Sequence, residues 1–264
     1  MALKRFTTFS EELRRIFGCR VQRVSLDAGF SCPNRDGTLG NGGCTFCGDR
    51  GAAAVGVPTE LPIIEQIDKS KRYLRSKFKA ERFLAYFQAY SNTYASTDTL
   101  RQLYTAALAD LDMVGIIIGT RPDCLPEPVL DLLSDLHAAT YLWLELGMQT
   151  MHDQTLRSIN RGHTHACFVD AIRRCQGRGL RVCAHLILGL PGESREQILA
   201  SVQELNRLGV DGVKLHHLHV LKGSQMVVDY RNGQLILMDR DQYVQLVCDS
   251  LELLDPRIMI HRLM

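Results

Sequence analysis

The sequence predicts an α/β protein whose parallel sheet curves into a barrel or partial barrel, preceded by one N-terminal helix. Three observations predict it. Strand-like and helix-like hydrophobic patterns alternate along the chain, which implies parallel strands joined by right-handed crossovers. Six such units occur, and each strand runs into a polar or glycine-containing turn. No break in composition marks a second domain within the 264 residues; that length fits one large α/β domain. The content of 45% hydrophobic and 23% charged residues is that of an ordinary globular chain and supplies a sizeable core.

Residues 1–20 are expected to form a helical extension and 21–264 the barrel. In the extension, Leu13, Ile16 and Phe17 fall at helical spacing, with Ser10 as candidate N-cap. Residues 21–30 alternate as a first strand. A basic helix is expected over 61–78, then a strand over 82–90 and a helix over 98–109. The GIIIG run marks a buried strand over 113–120. Next come a helix over 127–138, a strand over 141–149, a short helix near 152–159 and a helix over 165–178. Strands over 181–190 and 212–220 flank a helix over 196–208. A helix over 241–254 and a short strand over 258–263 complete the series.

Between the first strand and the basic helix lies SCPNRDGTLGNGGCTFCG, residues 31–48. Eleven residues separate Cys32 from Cys44, and two separate Cys44 from Cys47. Gly37, Gly40, Gly42 and Gly43 let the segment curl back on itself. Three thiolates on one short loop fit a [4Fe–4S] cluster with one iron left open. Zinc is the competing metal, with Cys19 as a fourth thiolate, although the spacing is unlike paired CxxC motifs. A disulfide is disfavoured by nine cysteines without a secretory segment. Incidental surface thiols are disfavoured because three cysteines crowd sixteen positions of a polar stretch.

Chemistry in a barrel sits at the C-terminal strand ends, and polar residues collect there. Gln88, Ser91 and Asn92 follow the second strand. Thr120, Arg121 and Asp123 follow the third, where Arg121 and Asp123 either pair or line a site; Cys124 is isolated and reads as a small hydrophobe. Glu145 and Gln149 share one strand face, and a glutamate among leucines needs donors, either a ligand's hydroxyls or a barrel Lys or Arg. Arg161 suits a carboxylate, His163 a helix cap. His185 points inward with Cys183 and Ile187. Residues 188–192, including Leu190, form a tight turn. Lys214 and His216 share a face opposite His217 and His219; without a carboxylate at hand these histidines do not read as a metal site, and Lys214, His216 and Lys222 are candidate substrate contacts. Cys167, Cys175, Cys183 and Cys248 read as core.

Net charge is only +2, so bulk charge does not announce nucleic acid. Seven cations between residues 69 and 82 (Lys69, Lys71, Arg72, Arg75, Lys77, Lys79, Arg82) are either a phosphate-binding face or a solvated helix; Arg14 and Arg15 carry the same choice. No apolar run reaches membrane-spanning length, and no signal peptide precedes the fold, so a cytoplasmic location without membrane contact is expected.

From about Val24 to the last residue, AGFSCPNRDGT, AYFQAYSNT, TRPDCLP, LELGMQT, INRGH and LILGLPGE occur in that order. This series resembles a radical S-adenosylmethionine (SAM) enzyme with the longer cysteine spacing, of the group called YhcC/YtqA (MnmL-like), itself similar to the catalytic subunit of Elongator. The resemblance implies the partial (β/α)6 TIM-like barrel of radical SAM enzymes. It implies a [4Fe–4S] cluster on Cys32, Cys44 and Cys47. It also implies SAM held by Gln88, Ser91, Thr120, Arg121, Glu145, Gln149, Arg161, His185 and Leu190, with Arg161 on the methionine carboxylate and Glu145 on the ribose. Gln88 stands where many members carry an acidic or glycine-rich motif. The implied reaction is reductive cleavage of SAM to a 5′-deoxyadenosyl radical that abstracts a substrate hydrogen. Its implied target is the C5 side chain of tRNA wobble uridine, taken from carboxymethylaminomethyl to aminomethyl, with a flavodoxin or ferredoxin as electron donor. Elongator's own reaction is not expected, since no acetyltransferase-like domain is present. Two alternatives stand beside it: a radical SAM reaction on a small molecule, and a non-catalytic, zinc-stabilised RNA-binding protein. Residues 260–264 end inside an expected strand where relatives continue, which suggests a C-terminally truncated form.

Overall fold

A computed structural model describes residues 5–51, 57 and 59–264. Seven strands form one parallel sheet in the order of the chain: β1 (Val21–Leu26), β2 (Arg82–Phe87), β3 (Met113–Thr120), β4 (Tyr141–Gln149), β5 (Val182–Leu188), β6 (Gly212–His217) and β7 (Met259–Arg262). Each strand pairs with its sequence neighbour, so every crossover steps one place in the same direction, as in a barrel and unlike a doubly wound sheet. Among the described residues β1 and β7 do not pair; instead Thr8 bridges to Ile260 beside β7. The architecture is the expected partial barrel.

The two faces of the sheet have different partners. Phe83, Ile116, Leu144 and Leu186 point outward against helix residues such as Leu100, Leu130, Phe168 and Val202, in the main core. The helices of that layer are α2 (Ile63–Phe78), α3 (Thr97–Leu108), α4 (Glu127–Ala139), α6 (His165–Gln176), α7 (Arg195–Leu208) and α9 (Arg240–Leu253). The inward residues Leu84, Ile117, Trp143 and Cys183 form a second, smaller core with Phe9 and Leu13 of α1 (Phe9–Phe17). Phe9 stacks on His261 at 4.0 Å and meets Trp143 edge-on at 5.7 Å. The N-terminal helix therefore supplies side chains to the barrel interior.

Several expectations are corrected. The N-cap of α1 is Thr8, not Ser10: Thr8 accepts from the Glu11 amide, and the Glu11 carboxylate accepts from the Thr8 amide at 3.0 Å. Strands β1, β2, β5 and β6 stop two to four residues before the expected ends, because the polar residues there turn into loops. Two short helices were not anticipated, α5 being the anticipated one (Asp153–Ser158): a 3₁₀ turn at Pro122–Cys124 and α8 (Met226–Arg231). The basic run is partly neutralised. The Lys71 ammonium is 2.6 Å from Asp110 Oδ1 and 2.9 Å from Asp112 Oδ2, and Arg75 and Arg82 also reach Asp112. Three of the seven cations thus serve the α3–β3 turn. No helix is long and apolar enough to cross a membrane among the described residues.

Candidate active site

The C-terminal ends of the strands surround a cavity of about 280 Å³. The structure brings to it Cys32, Cys44 and Cys47 together with Gln88, Ser91, Thr120, Arg121, Glu145, Gln149, Arg161, His185 and His216. Three expected residues lie elsewhere. Leu190 packs with Leu156, Ile159 and Met226 beneath a separate groove. Lys222 is exposed and outside the cavity. Lys214 is 2% exposed, and its ammonium is spent on Glu145 and Tyr86, which removes it as a substrate contact.

The cysteine loop leaves β1 through Asp27, whose backbone is held by Gln66 of α2 at 3.0 and 2.8 Å. Gly37, Gly42 and Gly43 adopt φ of 89°, 78° and 80°, the left-handed region that glycine enters without cost. Gly40 is needed for another reason: a Cβ there would lie 2.7 Å from Asn34 Oδ1. Arg35 donates to the carbonyls of Gly48 at 2.6 Å and Cys47 at 3.3 Å, and so closes the loop.

Sulfur spacing separates the two metal readings. Among the described residues, the group of three His, Cys, Asp or Glu ligand atoms within 4.8 Å of one another is Glu145, Cys183 and His261. At least one pair of the loop sulfurs is therefore more than 4.8 Å apart, wider than the roughly 3.8 Å that one tetrahedral zinc with bonds of about 2.3 Å imposes. Cys19 precedes β1 and packs against the inner core, whereas Cys32 follows β1 and lines the cavity. The four thiolates are not gathered at one point, as a single tetrahedral zinc would need.

Glu145 sits on the cavity floor with its carboxylate buried. Its Oε2 accepts from Tyr86 Oη at 2.7 Å, Lys214 Nζ at 2.6 Å and His185 Nε2 at 3.0 Å. Burial pushes the carboxyl up, yet Lys214 and His185 hold it well below the usual range. The barrel lysine is thus the donor that the sequence left open. Burial likewise pushes His185 down, and burial with the neighbouring His185 and Lys214 pushes His216 down to about 2. Both imidazoles face the cavity neutral, and His216 Nε2 has no partner.

On the opposite wall Arg121 forks Asp123 at 2.9 and 2.7 Å, so the two residues pair, while Arg121 alone of the two lines the cavity. Its third nitrogen reaches the Arg161 carbonyl at 2.9 Å. Arg161 donates to Gly147 O at 2.9 Å and Cys44 Sγ at 3.6 Å, and its Nε is buried without a partner. A Cβ on Gly147 would stand 2.6 Å from both Arg161 Nη2 and Gln149 Nε2, so a larger residue there would displace the ends of those two side chains. Gln149 itself has φ 70°, a strained conformation for this residue type at the end of β4. His163 does not cap α6; Thr164 does, and burial beside Arg161 and Arg121 pushes His163 down to about 3.

Sequence reasoning missed Tyr86, Arg35, His217, His219 and Arg262, all of which line the cavity. Tyr86 had a usable signal, since it shares a strand face with Gln88; Arg35 and His219 arrive through loops, His217 at the end of β6 and Arg262 at the end of β7.

Three thiols on one wall, a guanidinium with a free Nε and a neutral imidazole with a free Nε2 fit an iron–sulfur cluster with an amino-acid ligand beside it. Comparison with known proteins agrees. A family model described as the radical SAM superfamily matches residues 37–205, and its C-terminal domain model matches 210–264. The chain belongs to the radical SAM superfamily. Members of this superfamily use a [4Fe–4S] cluster and SAM. The chain is 45% identical over 260 residues to the uncharacterized protein YtqA of Bacillus subtilis, covering 98% of this chain and 81% of that one. It is 28% identical over 153 residues to human Elongator complex protein 3, covering 56% of this chain and 27% of that one. The structure of the archaeal Elp3 of Methanocaldococcus infernus superposes with a TM-score of 0.71 at 16% identity, over 91% of this chain and 55% of that one.

Proposed function

We propose that this radical SAM enzyme acts on the C5 side chain of tRNA wobble uridine, converting carboxymethylaminomethyl to aminomethyl. The observation that carries the reading is the similarity to Elongator complex protein 3, which runs through the same radical SAM region. When bound, the cluster and SAM supply one-electron cleavage of a sulfonium and a hydrogen-abstracting radical. The residues of the chain do the rest. Cys32, Cys44 and Cys47 hold the iron. The free Nε of Arg161 suits the methionine carboxylate. The Glu145–Lys214 pair leaves the floor without net charge, and neutral His216 offers a hydrogen bond. Ile187, Leu218 and Phe46 keep water from the cavity. At the mouth, Arg35 and Arg262 with His217 and His219 suit an anionic substrate, and Tyr90 and Phe46 a flat base.

A reducing cytoplasm and a small flavodoxin- or ferredoxin-type donor complete the proposal. A small-molecule substrate is the second reading, favoured by the neutralisation of Lys71, Arg75 and Arg82. The test is anaerobic reconstitution with dithionite and SAM, measuring 5′-deoxyadenosine and tRNA nucleosides by mass. Carboxymethylaminomethyl tRNA should accelerate 5′-deoxyadenosine formation and lose its carboxymethyl group. Steady 5′-deoxyadenosine formation indifferent to tRNA, with salt-insensitive tRNA binding, would move the small-molecule reading to the front.

A further inference from the structure

We infer that Asn34 and Arg161 set the reduction potential of the cluster through one ligand, Cys44. The inference rests on the family reading of the cysteine loop and goes beyond it. Cys44 is buried, whereas Cys32 and Cys47 are half-buried. Two N–H donors converge on its sulfur: Asn34 Nδ2 at 3.7 Å and Arg161 Nη1 at 3.6 Å. The Arg35 guanidinium donates to backbone carbonyls of the loop and also lies against the Cys47 thiol, so Cys47 has its own cation and Asn34 and Arg161 act on Cys44.

Both donors are locked in place. Asn34 is 1% exposed, and its Nδ2 also donates to Asn160 O at 2.5 Å. That contact fixes the amide orientation, because the flipped amide would set two oxygens against each other. The other side of the amide is boxed in by Gly40 and Gly162, where a Cβ would come within 2.7 Å of Oδ1. Arg161 is anchored by Gly147 O through Nη2, and its own carbonyl is held by Arg121. A separate set of contacts braces the loop without touching sulfur: Asn160 Nδ2 to Gly43 O at 2.8 Å, and Thr45 N to Ile159 O at 3.0 Å.

A donor aimed at a cluster thiolate stabilises the more negative, reduced cluster and so raises the potential. Arg161 adds a full positive charge to that effect. Asn34 and Arg161 are positioning residues for the electron that enters the cluster.

The test is an EPR-monitored potentiometric titration of the full chain, reconstituted anaerobically, as wild type, Asn34→Asp, Arg161→Gln and Asn160→Ala. Asn34→Asp and Arg161→Gln should each move the midpoint to a more negative value. Asn160→Ala should keep the wild-type midpoint while iron is lost to a chelator about 10-fold faster or more, because the brace to Gly43 is broken and Ala is strained at the φ of 49° that Asn160 adopts, while both donors to Cys44 remain. If Asn34→Asp takes up no iron, Asn34→Ala, smaller and lacking the donor, is read in its place. An unchanged midpoint in the loaded Asn34 and Arg161 variants overturns the inference. So does an equal shift in Asn160→Ala, which would make bracing the cause. Wild-type protein that loads no four-iron cluster overturns the family reading as well, an outcome distinct from both.

Discussion

The cysteine loop and the cavity floor are built in opposite ways. The loop is local: three cysteines within sixteen positions, curled by the glycines between them. The floor is assembled from four strands, with Tyr86 from β2, Glu145 from β4, His185 from β5 and Lys214 from β6 meeting at one carboxylate oxygen. Each of those four residues is separated in sequence from the next by 29 to 59 positions, and alone each has several plausible uses. A local motif tolerates loss of its function without loss of the fold. A shared buried charge does not, because removing one partner leaves the other unpaired in a low-dielectric interior.

That contrast can be broken experimentally, beginning with the largest effect. Cys47→Ser should abolish cluster loading and 5′-deoxyadenosine formation while leaving the urea midpoint of the apoprotein near wild type. Lys214→Met should do the reverse in kind, destabilising the fold by about 3–5 kcal/mol because Glu145 is stranded. Urea unfolding checks it, and Glu145→Gln combined with Lys214→Met should recover part of the loss. An unaltered Lys214→Met curve would mean that the floor is not charge-coupled.

Acid should sharpen the same picture. His216 and His261 are pushed down to about 2 and about 3, mainly by burial. A histidine whose folded value is depressed contributes stability that is present above the unfolded value near 6.5 and is lost as pH falls toward the folded value. Stability should therefore decline from about pH 6.5 downward, by on the order of 1.4 kcal/mol per pH unit for each such histidine. His261→Asn should flatten that slope by one histidine's share, as read from urea midpoints across pH. The smallest effect is expected at the other end of the barrel. Thr8→Ala removes the cap of α1 and should cost about 1 kcal/mol with the cavity chemistry intact.

The elements themselves were legible wherever hydrophobic period decided them. β3 and β4 end at the residues that the pattern marks, and α2, α4 and α9 differ by two residues or fewer at each end. α8 escaped because six residues, MVVDYR, carry too little periodicity to register. The shortened ends of β1, β2, β5 and β6 escaped because a strand that bends into a site loop keeps its alternating pattern after it leaves the sheet.

At the site, composition and spacing by themselves determined the cysteine triad, the glycines that curl it and the set of polar strand ends, since those depend on neighbours in the chain. Only the tertiary structure decided what each polar group meets. Lys214 was read as a substrate contact and is the counter-ion of Glu145. Arg161 reaches Cys44 across 117 positions of sequence. Lys71, Arg75 and Arg82 were read among seven free cations and turn to Asp110 and Asp112. The physical reason is common to all three. A charged side chain states a demand for a partner, and a sequence records that demand, but the partner is chosen by which strand ends and helix faces the closed sheet brings within about 3 Å.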